Sequence, residues 1–156
     1  MRKIFYLLAI VLVISFAYLE IKEHTNIGQS YELPNVVISN KLIKVAVADD
    51  MQKQIDGLSN KPKLGDDEGM LFVFDTKQKR TFWMKQMNFP LDIIWIYDDR
   101  IVNISKNLPP EGENPANKYS SQYSVNYVLE VNAGFADNNK IKIGDIVQYN
   151  NIYKNQ

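Results

Sequence analysis

Two carboxylates stand inside apolar runs of this chain: Asp92 interrupts LDIIWI and Glu130 interrupts YVLEV. Burying a charge costs on the order of several kcal/mol unless it is paired, so each acid needs a partner. If the two meet at a pocket, raised pKa values would suit them to acid–base chemistry or to holding a ligand amine. The competing expectation is structural. Each carboxylate would then accept backbone N–H groups or meet Lys85, Arg80 or Arg100.

A second constellation lies in residues 81–96, TFWMKQMNFPLDIIWI, which hold both tryptophans. Trp83, Met84, Met87 and Trp95 offer large rigid rings and soft thioethers. Rings at the surface would make a platform for a sugar or an apolar partner. Thioethers would suit copper(I), but no histidine accompanies them, and methionine more often fills gaps in a core. Core packing is therefore the first expectation, an aromatic-lined groove the second and copper a distant third. Lys85 is the one residue of this stretch that packing does not demand. The candidate binding residues are Trp83, Met84, Lys85, Asp92 and Glu130. No catalytic residue, metal site or cofactor is expected.

The rest of the composition narrows the chemistry. The 156 residues include no cysteine, which excludes disulfides, thiolate metal sites and a cysteine nucleophile. The one histidine, His24, lies outside the strand-rich part of the chain, so a histidine metal cluster or a Ser-His-Asp triad is not expected there. Eighteen basic residues balance eighteen acidic ones, and no basic field for nucleic acid is expected. Hydrophobic residues make up 46% of the chain, enough for an ordinary packed core.

The elements that position these residues are mostly strands. Strand patterns cover residues 36–39 and 42–47, joined by a turn at Asn40-Lys41. A short helix runs to Ile55, capped by Asp49 or Asp50 and stopped by Gly57. Residues 70–74 are apolar on both faces, which places that strand centrally. Strands are also expected over 80–85, 91–97 and 100–108, with Pro90 outside any ladder. A long proline-bearing loop covers 109–121. A strand over 127–131, a helical turn over 133–138 and a last strand over 146–149 complete the pattern. About eight short strands with one or two short helices predict a mainly β fold, a β-sandwich or partly closed barrel.

The chain opens with Arg2 and Lys3, followed by an apolar run over 4–19 whose one polar residue is Ser15. As a helix this run spans about 24 Å, short of the roughly 30 Å hydrocarbon core, and Ser15-Phe16-Ala17 suits a signal peptidase. The expected organisation is a signal peptide or membrane anchor over 1–19, a linker over 20–34 and one domain over 35–153. Either reading exports the domain, as a periplasmic protein or one anchored with its domain outside.

GLS (57–59), EGMLFVF (68–74), TFWMKQMNFPLDIIWI (81–96), NLPPE (107–111), YVLEVNAG (127–134) and KIGD (142–145) occur in this order. This succession resembles the family known as domain of unknown function 192 (DUF192), over roughly residues 36–150. The family usually has Met where Ser59 stands and Thr where Met87 stands. The resemblance implies a small, mostly β protein that is often exported or membrane-anchored, and it carries no activity. The function expected is a non-enzymatic envelope module binding a small molecule or a protein partner, held at the membrane through its N-terminal segment. The alternative is an envelope hydrolase using Asp92 and Glu130 together, which requires the two to converge in an open cleft.

Overall fold

The sequence LDIIWI is buried along its whole length, and the sheet is assembled around it. The structure, a computed structural model, describes residues 33–152. The expected signal or anchor over 1–19 and most of the 20–34 linker lie outside the described residues. Among the described residues are strands β1 (Asn35–Ile38), β2 (Lys41–Ala48), β3 (Glu68–Gln78), β4 (Thr81–Phe82), β5 (Leu91–Tyr97), β6 (Arg100–Leu108), β7 (Tyr119–Ser120), β8 (Val125–Asn132) and β9 (Val147–Asn150). Two short helices, α1 (Met51–Asp56) and α2 (Phe135–Asn138), accompany them. No helix of the described residues is long and apolar enough to cross a membrane.

Seven strands form one sheet in the order β6-β5-β8-β3-β2-β1-β9. β3 is interior to that sheet, as its two apolar faces require. Its pairing with β2 is parallel, and α1 lies in the connection between them; the other pairings of the sheet are antiparallel. Asp50 caps α1 by accepting the Lys53 N–H at 2.9 Å. Gly57 ends it at φ 50, a left-handed conformation that favours glycine.

The sheet curls until its edges meet. Arg100 of β6 bridges to Ile146 just before β9, Ile101 N donates to Asp145 O at 3.0 Å, and Val147 N donates to Asp99 O at 2.7 Å. Of the two expected architectures, the partly closed barrel is the one formed. Strand alternation divides the core between the two faces. Inside the curl, Leu71, Ile94, Ile96, Leu129 and Val131 pack together, with Phe135 and Ala136 of α2 among them. On the outer face, Phe72, Leu91, Ile93, Trp95 and Val128 form a second cluster with Leu58, Met84 and Met87.

The roof over that outer cluster departs from expectation. The strand expected over 80–85 is reduced to the two residues of β4, paired with β7 in a sheet of its own. The cause lies in backbone partners. Met84 O accepts from Glu111 N, Gln86 N donates to Gly112 O, and Gln86 O accepts from Asn60 N. These groups are committed to two loops, so no ladder continues past Phe82. The alternation still holds: Phe82 packs edge-on against Phe72 and Trp95, with centroids 4.8 and 5.5 Å away, while Trp83 turns outward. The first turn sits one residue earlier than expected, on Ser39 and Asn40, both at positive φ.

Candidate functional site

A cleft of about 410 Å³ opens on the outer face, between the end of α1 with the turn after it (residues 54–59) and residues 79–83. Gly57 directs the chain away from α1, and Leu58 drops into the outer cluster as one wall. Phe72, Phe82 and Met87 supply further apolar lining. Trp83, 48% exposed, stands at the mouth, and Lys79 and Arg80 bring positive charge to the lining.

Glu130 lies on the floor. It sits on β8 opposite Met70 of β3 and Ile93 of β5, both buried and apolar. Its side chain is on the outer face, since its neighbours Leu129 and Val131 point into the curl. The residue is only 5% exposed, yet it borders the cleft. Its carboxyl has no hydrogen-bond or ion-pair partner among the described residues. Burial pushes its pKa up to about 8, so at neutral pH the group is mostly an uncharged acid.

Arg80 does not neutralise it. Its guanidinium lies 3.9 Å from the Phe74 ring centroid, and Nη2 donates to Thr76 O at 2.7 Å. Burial lowers the guanidinium pKa, and Nε is buried with no acceptor. The cleft hydroxyls are engaged elsewhere: Ser59 Oγ donates to Lys85 O at 3.0 Å, and Thr81 Oγ1 is hydrogen-bonded to Ser120 Oγ at 2.9 Å.

Asp92 has a different setting. It faces the inside of the curl, fully buried, where Oδ1 accepts from Asn107 N at 2.8 Å and Oδ2 from Ala136 N at 3.0 Å. α2 begins at Gly134, which has no side chain to cap it. Asp92 supplies that acceptor from β5, a structural role for a buried carboxylate.

Of the five expected binding residues, Trp83 and Glu130 meet in the cleft, while Met84, Lys85 and Asp92 do not line it. Met84 is sealed in the outer cluster. Lys85 is half-buried and holds Ser59 through its carbonyl. Arg100, another expected partner for a carboxylate, donates instead to Gly144 O at 2.8 Å. Asp92 and Glu130 do not converge, so the arrangement needed by a two-carboxylate hydrolase is not formed. Sequence reading missed Leu58, Phe72 and Phe82 as walls; the one available signal was that Phe82 shares an alternation face with Arg80 and Met84.

Residues 35–149 match the family model described as DUF192, uncharacterized ACR. The chain belongs to the DUF192 family. This DUF192 domain is similar to a crystal structure of a protein of unknown function from Novosphingobium aromaticivorans, at 34% identity and a TM-score of 0.67. That match covers 73% of this chain and 83% of the other. A second similar crystal structure, at 28% identity and TM-score 0.68, comes from Sinorhizobium meliloti and covers 74% of this chain and 91% of that one. A role as transcription regulator has been attributed to that protein. A search of curated proteins returned no match.

Proposed function

We propose that this DUF192 protein is an exported module of the cell envelope that binds a small ligand in the cleft beneath Trp83, without carrying out a reaction on it. The observation that carries the reading is Glu130, a buried acid without a partner on the floor of an open, aromatic-walled cleft. A fold gains nothing from such a group, whereas a binding site does. A purely structural acid is expected to look like Asp92, with both oxygens engaged. Among the described residues of the cleft, the hydroxyls of Ser59 and Thr81 are engaged in hydrogen bonds rather than directed at Glu130, which favours binding over catalysis. The basic start and apolar run over residues 1–19 support export. Balanced charge argues against extending to this chain the transcription role attributed to the Sinorhizobium protein.

Tryptophan fluorescence tests the siting, because Trp83 lines the cleft whereas Trp95 is fully buried and does not line it. A panel of single-ring amines, alcohols and carboxylates is titrated into wild type and Trp83→Phe. A ligand of the cleft shifts wild-type emission and leaves the variant unmoved. If no compound shifts the emission, or if the shift survives in Trp83→Phe, the siting is wrong. Protease accessibility in intact cells and N-terminal sequencing test export.

A further inference from the structure

We infer that the ligand of this cleft is an organic cation, a protonated amine on a single-ring or similarly compact apolar body, with its ammonium seated against the Glu130 carboxylate. The inference rests on the cleft reading and adds the chemical class.

Three observations lead to it. The first is the missing partner. Glu130 is 5% exposed, and its cross-strand neighbours Met70 and Ile93 offer neither donor nor cation. A carboxyl left in this state costs the fold stability, because it has given up most of its water and gained no partner among the described residues. An ammonium at hydrogen-bond distance supplies both charge and donors.

The second is where the protein's own cations are. The ionisable groups that share the cleft with Glu130 are Asp56, Lys79 and Arg80. Arg80 is held on Thr76 and the Phe74 ring, and neither Arg80 nor Lys79 forms an ion pair with Glu130. Asp56 is engaged by Gln52 Nε2 at 2.9 and 3.0 Å. Among the described residues, then, no cation stands beside the Glu130 carboxyl.

The third is the lining. Phe72, Phe82, Leu58 and Met87 surround the floor, and aromatic rings attract cations as well as apolar groups. About 410 Å³ is near the lower end of the ligand-pocket range of roughly 300–1,000 Å³, which favours a compact body over a polymer.

Protons must balance. The free carboxyl is mostly protonated at pH 7, so seating an ammonium there sends the Glu130 proton to buffer. Up to one proton is released per amine bound. Affinity rises with pH through the titration of free Glu130 and falls only when the amine loses its own charge.

The test is calorimetric titration of the full chain with 2-phenylethylamine, 2-phenylethanol and 3-phenylpropanoate. Each is measured at pH 7 and 8.5, in buffers of different ionisation enthalpy. The expected result is at least tenfold tighter binding of the amine than of the alcohol or the carboxylate, with proton release at pH 7 and tighter amine binding at pH 8.5. Glu130→Gln, with wild-type melting behaviour as the check on folding, loses the preference and the proton release. Equal or tighter binding of the alcohol or the carboxylate overturns the ligand class and leaves the cleft standing. So does an amine preference retained in Glu130→Gln. Failure of all three probes to bind, with no change in Trp83 emission, overturns the cleft reading and the class together.

Discussion

Asp92 and Glu130 lie on neighbouring strands, one residue out of register, and face opposite sides of the same sheet. Asp92 pairs across with Val131, while Glu130 pairs with Ile93. The offset sends Asp92 into the curl, where two backbone N–H groups meet it, and sends Glu130 to the floor of the outer cleft. One acid is a strut; the other is an unmet demand.

The unmet demand has a sign in pH. Unfolded, Glu130 releases its proton near the ordinary 4.5, while folded it holds the proton until about 8. Between those values the unfolded state binds fewer protons, so stability falls as pH rises, by at most about 5 kcal/mol. Glu130→Gln should flatten that slope. Glu130→Leu should raise stability at pH 8 by roughly 1–3 kcal/mol while abolishing ligand binding. Urea denaturation at pH 5 and 8 reads both; a pH slope unchanged in Glu130→Gln would show that Glu130 is not its source.

Asp92→Ala should act in the opposite way. It leaves the N–H groups of Asn107 and Ala136 without their acceptor and should cost about 2–4 kcal/mol. Hydrogen exchange should quicken over residues 135–141, because α2 loses its cap. Ligand affinity, measured where the variant is folded, should be unchanged, since Asp92 is on the other side of the sheet. A loss of affinity without a loss of stability would reassign Asp92 to the site.

Gly69 sets how closely β3 approaches the strand that carries Glu130. A Cβ at this position would lie 2.8 Å from the Glu130 carbonyl oxygen and 3.1 Å from Leu129 Cδ1. Backbone cannot yield as a side-chain tip does, so Gly69→Ala should cost roughly 1–3 kcal/mol and displace β8. Denaturation together with amine affinity measures this, and both should fall.

Glu111 organises the loop over 109–118. Its carboxylate accepts Asn117 N, Asn117 Nδ2 and the Tyr119 hydroxyl, and the Asn117 N–H is the main cause of its lowered pKa. A depressed carboxylate contributes order above the ordinary 4.5 and loses it as pH falls through the lower folded value. Hydrogen exchange of this loop should therefore quicken in acid, and Glu111→Gln should show the same loosening at neutral pH. A loop equally protected in the variant would remove Glu111 from this role.

The strands around the site were legible because their side chains alternate. Residues 91–97 and 100–108 form β5 and β6 with the expected bounds, and the two-sided apolar run of 70–74 lies within β3, interior to the sheet. Of the two acids expected to cap α1, Asp50 is the one that does, and Gly57 ends the helix as expected. The cleft was not legible, because it joins residues 54–59, 79–83 and Glu130, which only the curled sheet brings together. Nor could alternation show that 83–90 would leave the ladder, since that depends on loop residues such as Glu111 and Gly112 capturing the backbone of Met84 and Gln86. The two carboxylates looked alike in sequence because each sits in an apolar strand. What separates them is parity against the neighbouring strand, fixed by register rather than by residue type.

The most direct test is a carbon-13 NMR titration of the Glu130 carboxyl in the free protein and with saturating 2-phenylethylamine. The midpoint should lie near 8 in the free protein and clearly lower with the amine bound. A free midpoint near 4.5, or one that the amine does not move, would rule out Glu130 as the seat of the ammonium.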